Sequence, residues 1–137
     1  MAEDNRQQPR SANGVDGQLA RHGALSYLEI PAVEVRRSAA FYAEVFGWNV
    51  SGGDTDNPKL ADQTGHLTGR WVTGRAISRE PGLLPYVYVD HIDEVVKLVV
   101  SHGGEILREP YREGNLWVST IRDPAGNVIG LWQERDR

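Results

Sequence analysis

A chain of 137 residues, 39% hydrophobic and 25% charged, has the size and composition of one folded domain and excludes general disorder. The net charge of -4, with Lys59 and Lys97 the sole lysines and the arginines scattered, excludes a nucleic-acid surface. The absence of cysteine excludes disulfides, thiolate metal sites and cysteine nucleophiles together.

Residues 1–22 are polar and without periodicity, and are expected to form a flexible tail. No apolar run approaches the roughly 20 residues that cross a bilayer, and residues 1–22 lack the apolar stretch of a secretory signal. A cytoplasmic location without a membrane partner is the resulting expectation.

From Leu25 the pattern changes. Ser26-Tyr27-Leu28-Glu29-Ile30 alternates as a strand does and stops at Pro31. Val35, Ala39, Tyr42 and Phe46 then fall on one helical face, and Gly47 is placed to end that helix in the left-handed region. Trp48 to Ser51 reads as a strand, Gly52-Gly53-Asp54 as a turn, and Gly65 to Thr73 as further strand. Arg79-Glu80-Pro81-Gly82 reads as a linker.

The second half repeats the order. Leu84 to Val89 is a strand, and Asp90 is an expected N-cap with Asp93 at capping-box spacing. Ile92, Val95, Val96, Val99 and Val100 make a helical stripe closed by Gly103-Gly104. Glu105 to Leu107, Leu116 to Arg122 and Val128 to Gln133 read as strands, with turns at Gly114-Asn115 and Asp123 to Asn127. Tyr27-Leu28-Glu29-Ile30 aligns with Tyr86-Val87-Tyr88-Val89, a repeat of about sixty residues, which suits two modules rather than a solenoid.

The predicted fold is therefore α+β: one domain over residues 23–137, made of βαβββ modules at about 23–80 and 83–134. Each helix covers one face of its strands. Curling a mixed sheet of about eight strands around a cavity buries the other faces and leaves room for one small ligand.

Phe41-Tyr42-Ala43-Glu44-Val45-Phe46-Gly47-Trp48 and Asp123-Pro124-Ala125-Gly126-Asn127, in this order and within this repeat, resemble the vicinal oxygen chelate superfamily. That superfamily holds glyoxalase I, the bleomycin resistance proteins and the extradiol dioxygenases, and the resemblance covers Ala24 to Glu134. It implies a ligand cavity and a homodimer. It also implies divalent-metal positions on strands of both modules. By the family's spacing these fall on Tyr27, on Leu84 (Tyr86 if the register slips by two) and on Gly130, with a fourth near Gly69 to Trp71. Tyr, Leu and Gly do not make a divalent metal site, which prefers imidazole, thiolate or several oxygens. No metal and no cofactor are expected.

Ligand-binding candidates are Tyr27, Glu29, His66, Trp71, Leu84, Tyr86, Tyr88, Trp117, Gly130 and Trp132. Tyr27 and Glu29 share a strand face, and Glu29 is either a hydrogen-bond acceptor or acid/base in the cavity, or a solvent-facing strand residue or the partner of a nearby arginine. The aromatics suit planar or apolar ligands, although aromatics on strands also build cores. A glycine at 130 would open the pocket wall or mark a bend. Of the four histidines only His66 falls near a pocket strand, and His66 with Glu29 is the single acid/base pair to consider. These residues admit three readings: a small-molecule binding protein, a metal-dependent lyase, isomerase or dioxygenase with an atypical ligand set, or an interaction module without a pocket. Nucleic acid is excluded as a partner.

Overall fold

The computed structural model describes residue 17 and residues 19–134, so most of the expected tail lies outside the described residues. The elements run β1 (Tyr27–Pro31), α1 (Val35–Phe46), β2 (Asn49–Ser51), β3 (Lys59–Ala61), β4 (Thr68–Val72), β5 (Tyr86–Tyr88), α2 (Ile92–Ser101), β6 (Glu105–Glu113), β7 (Leu116–Arg122) and β8 (Val128–Glu134). This is the expected order of strand, helix and three strands, twice. The eight strands divide into two four-stranded sheets, ordered β1-β4-β3-β2 and β5-β8-β7-β6. In each sheet the first and last strands of the module are parallel neighbours and the other pairs are antiparallel.

The repeat extends to single hydrogen bonds. Thr68 donates its N–H to the Ser26 carbonyl at 3.0 Å, and Gly130 donates its own to the Pro85 carbonyl at 2.9 Å. These equivalent bonds superpose β1 on β5 with Tyr27 over Tyr86, and β4 on β8 with Thr68 over Gly130. In both modules the pair at the start of the parallel ladder is therefore Tyr27–Thr68 or Tyr86–Gly130.

Three expectations need correction. β3 falls between the expected Gly52-Gly53-Asp54 turn and the strand from Gly65, where no strand is expected. β6 continues well past Leu107, through Pro110, because register shifts between Ile106 and Tyr111 absorb the proline. Asp90 is not the cap of α2: the cap position is His91, with no side-chain hydrogen bond, and the Ile92 N–H donates to Gln133 Oε1 on β8 at 2.7 Å. A tertiary acceptor replaces the local one. α1 ends as expected, with Gly47 at φ 71° donating to the Ala43 carbonyl.

Both helices contribute to one core. Ala39, Phe41, Tyr42 and Val45 from α1 meet Ile92, Val96 and Val99 from α2, with Ile30, Leu60 and Trp71 below one helix and Ile121, Ile129 and Leu131 below the other. The turn before β8 locks this contact. Asp123 Oδ1 accepts the N–H groups of Ala125, Gly126 and Asn127, at 3.0, 3.0 and 2.9 Å. Its Oδ2 accepts the Tyr42 hydroxyl at 2.7 Å and Asn127 Nδ2 at 2.8 Å. Asn127 also donates to the Pro31 carbonyl and accepts from the Ser78 N–H. Burial, and then the charge of Asp123, push the Tyr42 hydroxyl well above its usual pKa, so it stays a donor. Among the described residues no helix is long and apolar enough to cross a membrane.

Replacing Tyr42 with Phe removes one donor to a buried carboxylate and should cost about 1–3 kcal/mol in urea unfolding. Asp123→Ala orphans several buried donors and should cost about 3 kcal/mol or more. In the double variant the two losses should not add, because both act on one network. Additive losses would contradict the coupling.

Candidate functional site: the uncovered faces of the two sheets

Because strand side chains alternate, each sheet turns one set of residues to its helix and the other set away from it. On the first sheet the outward set is Tyr27 and Glu29 on β1, Thr68, Arg70 and Val72 on β4, and Lys59, Ala61, Asn49 and Ser51 beyond them. On the second sheet it includes Tyr86 and Tyr88, then Val128, Gly130, Trp132 and Glu134, then Leu116, Val118, Thr120 and Arg122. The helices pack on each other in one core, so among the described residues these faces have no covering layer of helix. Tyr27, Tyr86 and Tyr88 are 56%, 49% and 45% exposed.

The sequence candidates sort accordingly. Tyr27, Glu29, Tyr86, Tyr88, Gly130 and Trp132 lie on outward faces. Trp71 and Trp117 do not: both point to the helix side, where Trp71 is 2% exposed and packs against Tyr42. The Trp71 indole N–H has no hydrogen-bond partner among the described residues. Leu84 precedes β5, and the register places Tyr86 opposite Gly130 instead. The wall opened by Gly130 is filled by the Tyr86 ring, into which a side chain at 130 would collide. Tyr88 packs edge-on against Trp132, with centroids 4.7 Å apart.

Glu29 and His66 are not brought together. His66 sits exposed in the turn before β4, held through its backbone N–H by the Thr64 hydroxyl. Glu29 is bound by two arginines. Its Oε2 accepts from Arg70 Nε at 3.0 Å and lies 3.0 Å from Arg70 Nη2, and its Oε1 pairs with Arg75 Nη1 at 2.7 Å. The arginine-partner reading of Glu29 is thus the one realised. Arg70, Arg75, Lys59 and Thr68 are absent from the sequence candidates, since which residues lie across from Glu29 depends on a register that one strand does not reveal.

A half-open groove of about 610 Å³ runs between the modules, lined by Leu28, Phe46, Trp48 and Leu67 on one side and by β5 and α2 on the other. Tyr86 and Tyr88 border it; Tyr27 and Glu29 do not. Tyr27 instead borders a pocket of about 440 Å³ over the first sheet, with Asn49, Ser51, Lys59 and Thr68.

Register equivalence puts the four positions of the implied metal site at Tyr27, Thr68, Tyr86 and Gly130, so the second falls on Tyr86 rather than Leu84 and the fourth on Thr68 rather than within Gly69 to Trp71. Two phenols, one hydroxyl and a glycine supply neither imidazole nor carboxylate, and do not fit a divalent ion. Among the described residues no group of three or more His, Asp or Glu is placed to hold one.

Arg75 first, then Arg70, hold the Glu29 carboxyl below its ordinary value of 4.5 by hydrogen bonding, against a smaller opposing effect of burial. A pKa lowered by folding stabilises the folded state above 4.5, and that gain disappears as the pH falls through the depressed value. Glu29→Gln lacks the titrating group. The difference in urea midpoint between parent and variant should be largest at neutral pH and shrink below 4.5. A constant difference would contradict the pairing.

The comparisons with known proteins agree with this architecture. The model of the Glyoxalase/Bleomycin resistance protein/Dioxygenase superfamily matches residues 24–131. CFP32 of Mycobacterium tuberculosis is 28% identical over 126 residues, which cover 82% of this chain and 46% of that protein. The chain thus spans about half the length of this curated relative. A glyoxylase-like domain-containing protein of Didymella fabae is 28% identical over 98 residues, covering 66% of this chain and 77% of that one. Among solved structures, a glyoxalase/bleomycin resistance protein/dioxygenase family enzyme from Burkholderia phytofirmans PsJN superposes with TM-score 0.65 at 20% identity, over 81% of this chain and 98% of that one. TnmS3, an antibiotic binding protein from Streptomyces sp. CB03234, gives 0.60 at 21%, over 80% and 94%. The repeat, the two motifs and the register lead to the same place: the chain belongs to the glyoxalase/bleomycin resistance protein/dioxygenase superfamily.

Proposed function

We propose that this protein binds a small, partly aromatic or apolar molecule on the outward faces of its sheets, without a metal, and acts by holding that molecule rather than by transforming it. The observation that carries the reading is the identity of the residues at the four register-equivalent positions. They offer aromatic surface and hydroxyl groups where a metal site would need imidazole or carboxylate. Tyr86, Tyr88 and Trp132 form a rigid aromatic patch that suits stacking against a planar ligand. TnmS3, which shares the fold, is described as an antibiotic binding protein, and this is consistent with a binding role.

The functional unit in this reading is a homodimer. Three tyrosines half exposed on β1 and β5, each an edge strand, are surface that a second copy would cover while closing the ligand site. For the metal-dependent lyase, isomerase or dioxygenase alternative, no group of three or more His, Asp or Glu stands together among the described residues. Glu29 is occupied by two guanidinium groups, and His66 stands apart from it.

Two measurements test this. Titration with a panel of planar aromatic compounds should quench tryptophan emission saturably, and Trp132→Phe with Tyr86→Ala should weaken the tightest binder about tenfold or more. Thermal melting in Zn, Ni, Fe, Mn and Mg should show no stabilisation. A stoichiometric ion that raises the melting temperature would overturn the metal-free reading, and a monomer in sedimentation at high concentration would overturn the dimer.

A further inference from the structure

The outward face of the first sheet carries an unbalanced charge. Glu29 on β1, Arg70 on β4 and Lys59 on β3 lie in one row across three neighbouring strands, since Glu29 pairs with Arg70 and Arg70 with Lys59. Arg75 reaches the same carboxylate from the turn after β4. Three cations therefore lie around one anion, two of them paired with it, a surplus of two positive charges on a chain whose net charge is -4. No other residue of this face is acidic. Among the described residues Lys59 carries no ion pair and Arg70 meets Glu29 through Nε and Nη2, which leaves Nη1 open.

Two like charges directly opposite each other on neighbouring strands repel and cost stability. Lys59 and Arg70 hold that arrangement, with Glu29 bonded on the far side of Arg70. An anion placed between the ammonium and the open edge of the guanidinium would relieve the repulsion and form charge-assisted hydrogen bonds with both. The pocket beside them has the matching chemistry. Its lining of Tyr27, Asn49, Ser51, Lys59, Ala61 and Thr68 includes donors and one aromatic ring but no carboxylate. Its volume, about 440 Å³, suits a small organic molecule.

We infer that the ligand of this protein is an aromatic or apolar molecule bearing an anionic group, whose anion is received by Lys59 and Arg70 beside the Tyr27 pocket, with Glu29 and Arg75 holding Arg70 in place. This inference rests on the reading of the outward faces as a ligand site and adds the charge of the ligand. Glu29 is then a positioning residue: its two guanidinium partners fix the orientation that Arg70 presents to the anion.

The test uses two fluorescent probes with the same arylaminonaphthalene body. One, 8-anilinonaphthalene-1-sulfonate, carries a sulfonate; the other, N-phenyl-1-naphthylamine, is neutral. The full chain should bind the sulfonate about tenfold more tightly than the neutral probe, and the preference should weaken with added salt. Lys59→Gln should lower sulfonate affinity about tenfold and leave the neutral probe unchanged. It should also melt no lower than the parent, because it removes the cross-strand repulsion. Lys97→Gln, on the exposed side of α2, should change neither probe. Neutral-probe binding as tight as sulfonate binding, or sulfonate binding unaffected by Lys59→Gln, overturns the anion inference and leaves the ligand-site reading standing. Failure of both probes to bind overturns the ligand-site reading and the inference with it.

Discussion

The arrangement depends on one buried carboxylate. Asp123 is 2% exposed and receives five donors, three backbone N–H groups at Oδ1 and two side chains at Oδ2. A buried charge is tolerated only when its lone pairs are filled, and here the filling groups come from both modules. The N–H groups belong to the turn that launches β8, and the Tyr42 hydroxyl belongs to α1 of the other module. Asn127, held by the same carboxylate, extends to the Pro31 carbonyl at the end of β1 and to the linker at Ser78. The network thus decides that α1 meets the second module at its last turn, and with that which side of each sheet is covered.

The consequence for the site is geometric. With the helices gathered in one core, the faces opposite them are turned away, and the strands that carry Tyr27 and Tyr86 are edges. The two modules use equivalent positions differently. On the first sheet the row through Glu29, Arg70 and Lys59 is charged. On the second sheet the corresponding residues are Tyr88 and Trp132, packed edge to face. The two modules share one topology, and side-chain chemistry makes the row charged in one and aromatic in the other. The Tyr86–Gly130 pair illustrates the trade: the missing side chain at 130 makes room for a neighbouring ring.

Much of the frame is legible without coordinates, for reasons that individual residues make plain. The helices announce themselves because Val35, Ala39, Tyr42 and Phe46, or Ile92, Val96 and Val99, repeat at helical spacing, and because Gly47 satisfies a left-handed cap. The Asp123 to Asn127 turn is legible because an Asp accepting the N–H groups two to four residues on is a local event. β3 is not legible: Lys59-Leu60-Ala61 has one buried residue and no alternation long enough to recognise. The continuation of β6 past Pro110 is hidden because a proline usually marks a strand's end, and only the register shifts reveal its accommodation. The cap of α2 is hidden because Asp90 satisfies every local rule, whereas Gln133 lies about forty residues away and is closer in space.

The site is less legible than the fold because its meaning lies in pairs. Glu29 alone is compatible with a proton acceptor; beside Arg70 and Arg75 its charged form is stabilised by two guanidinium groups, a fact that only the fold supplies. A carboxylate so held has little affinity for a substrate proton at neutral pH, but it is well suited to fixing the direction in which an arginine points. The same three residues that weaken the case for acid/base chemistry strengthen the case for recognition. Lys59 and Arg70 stand opposite each other with like charges, and in the proposed reading an anionic partner placed between them turns that arrangement into affinity.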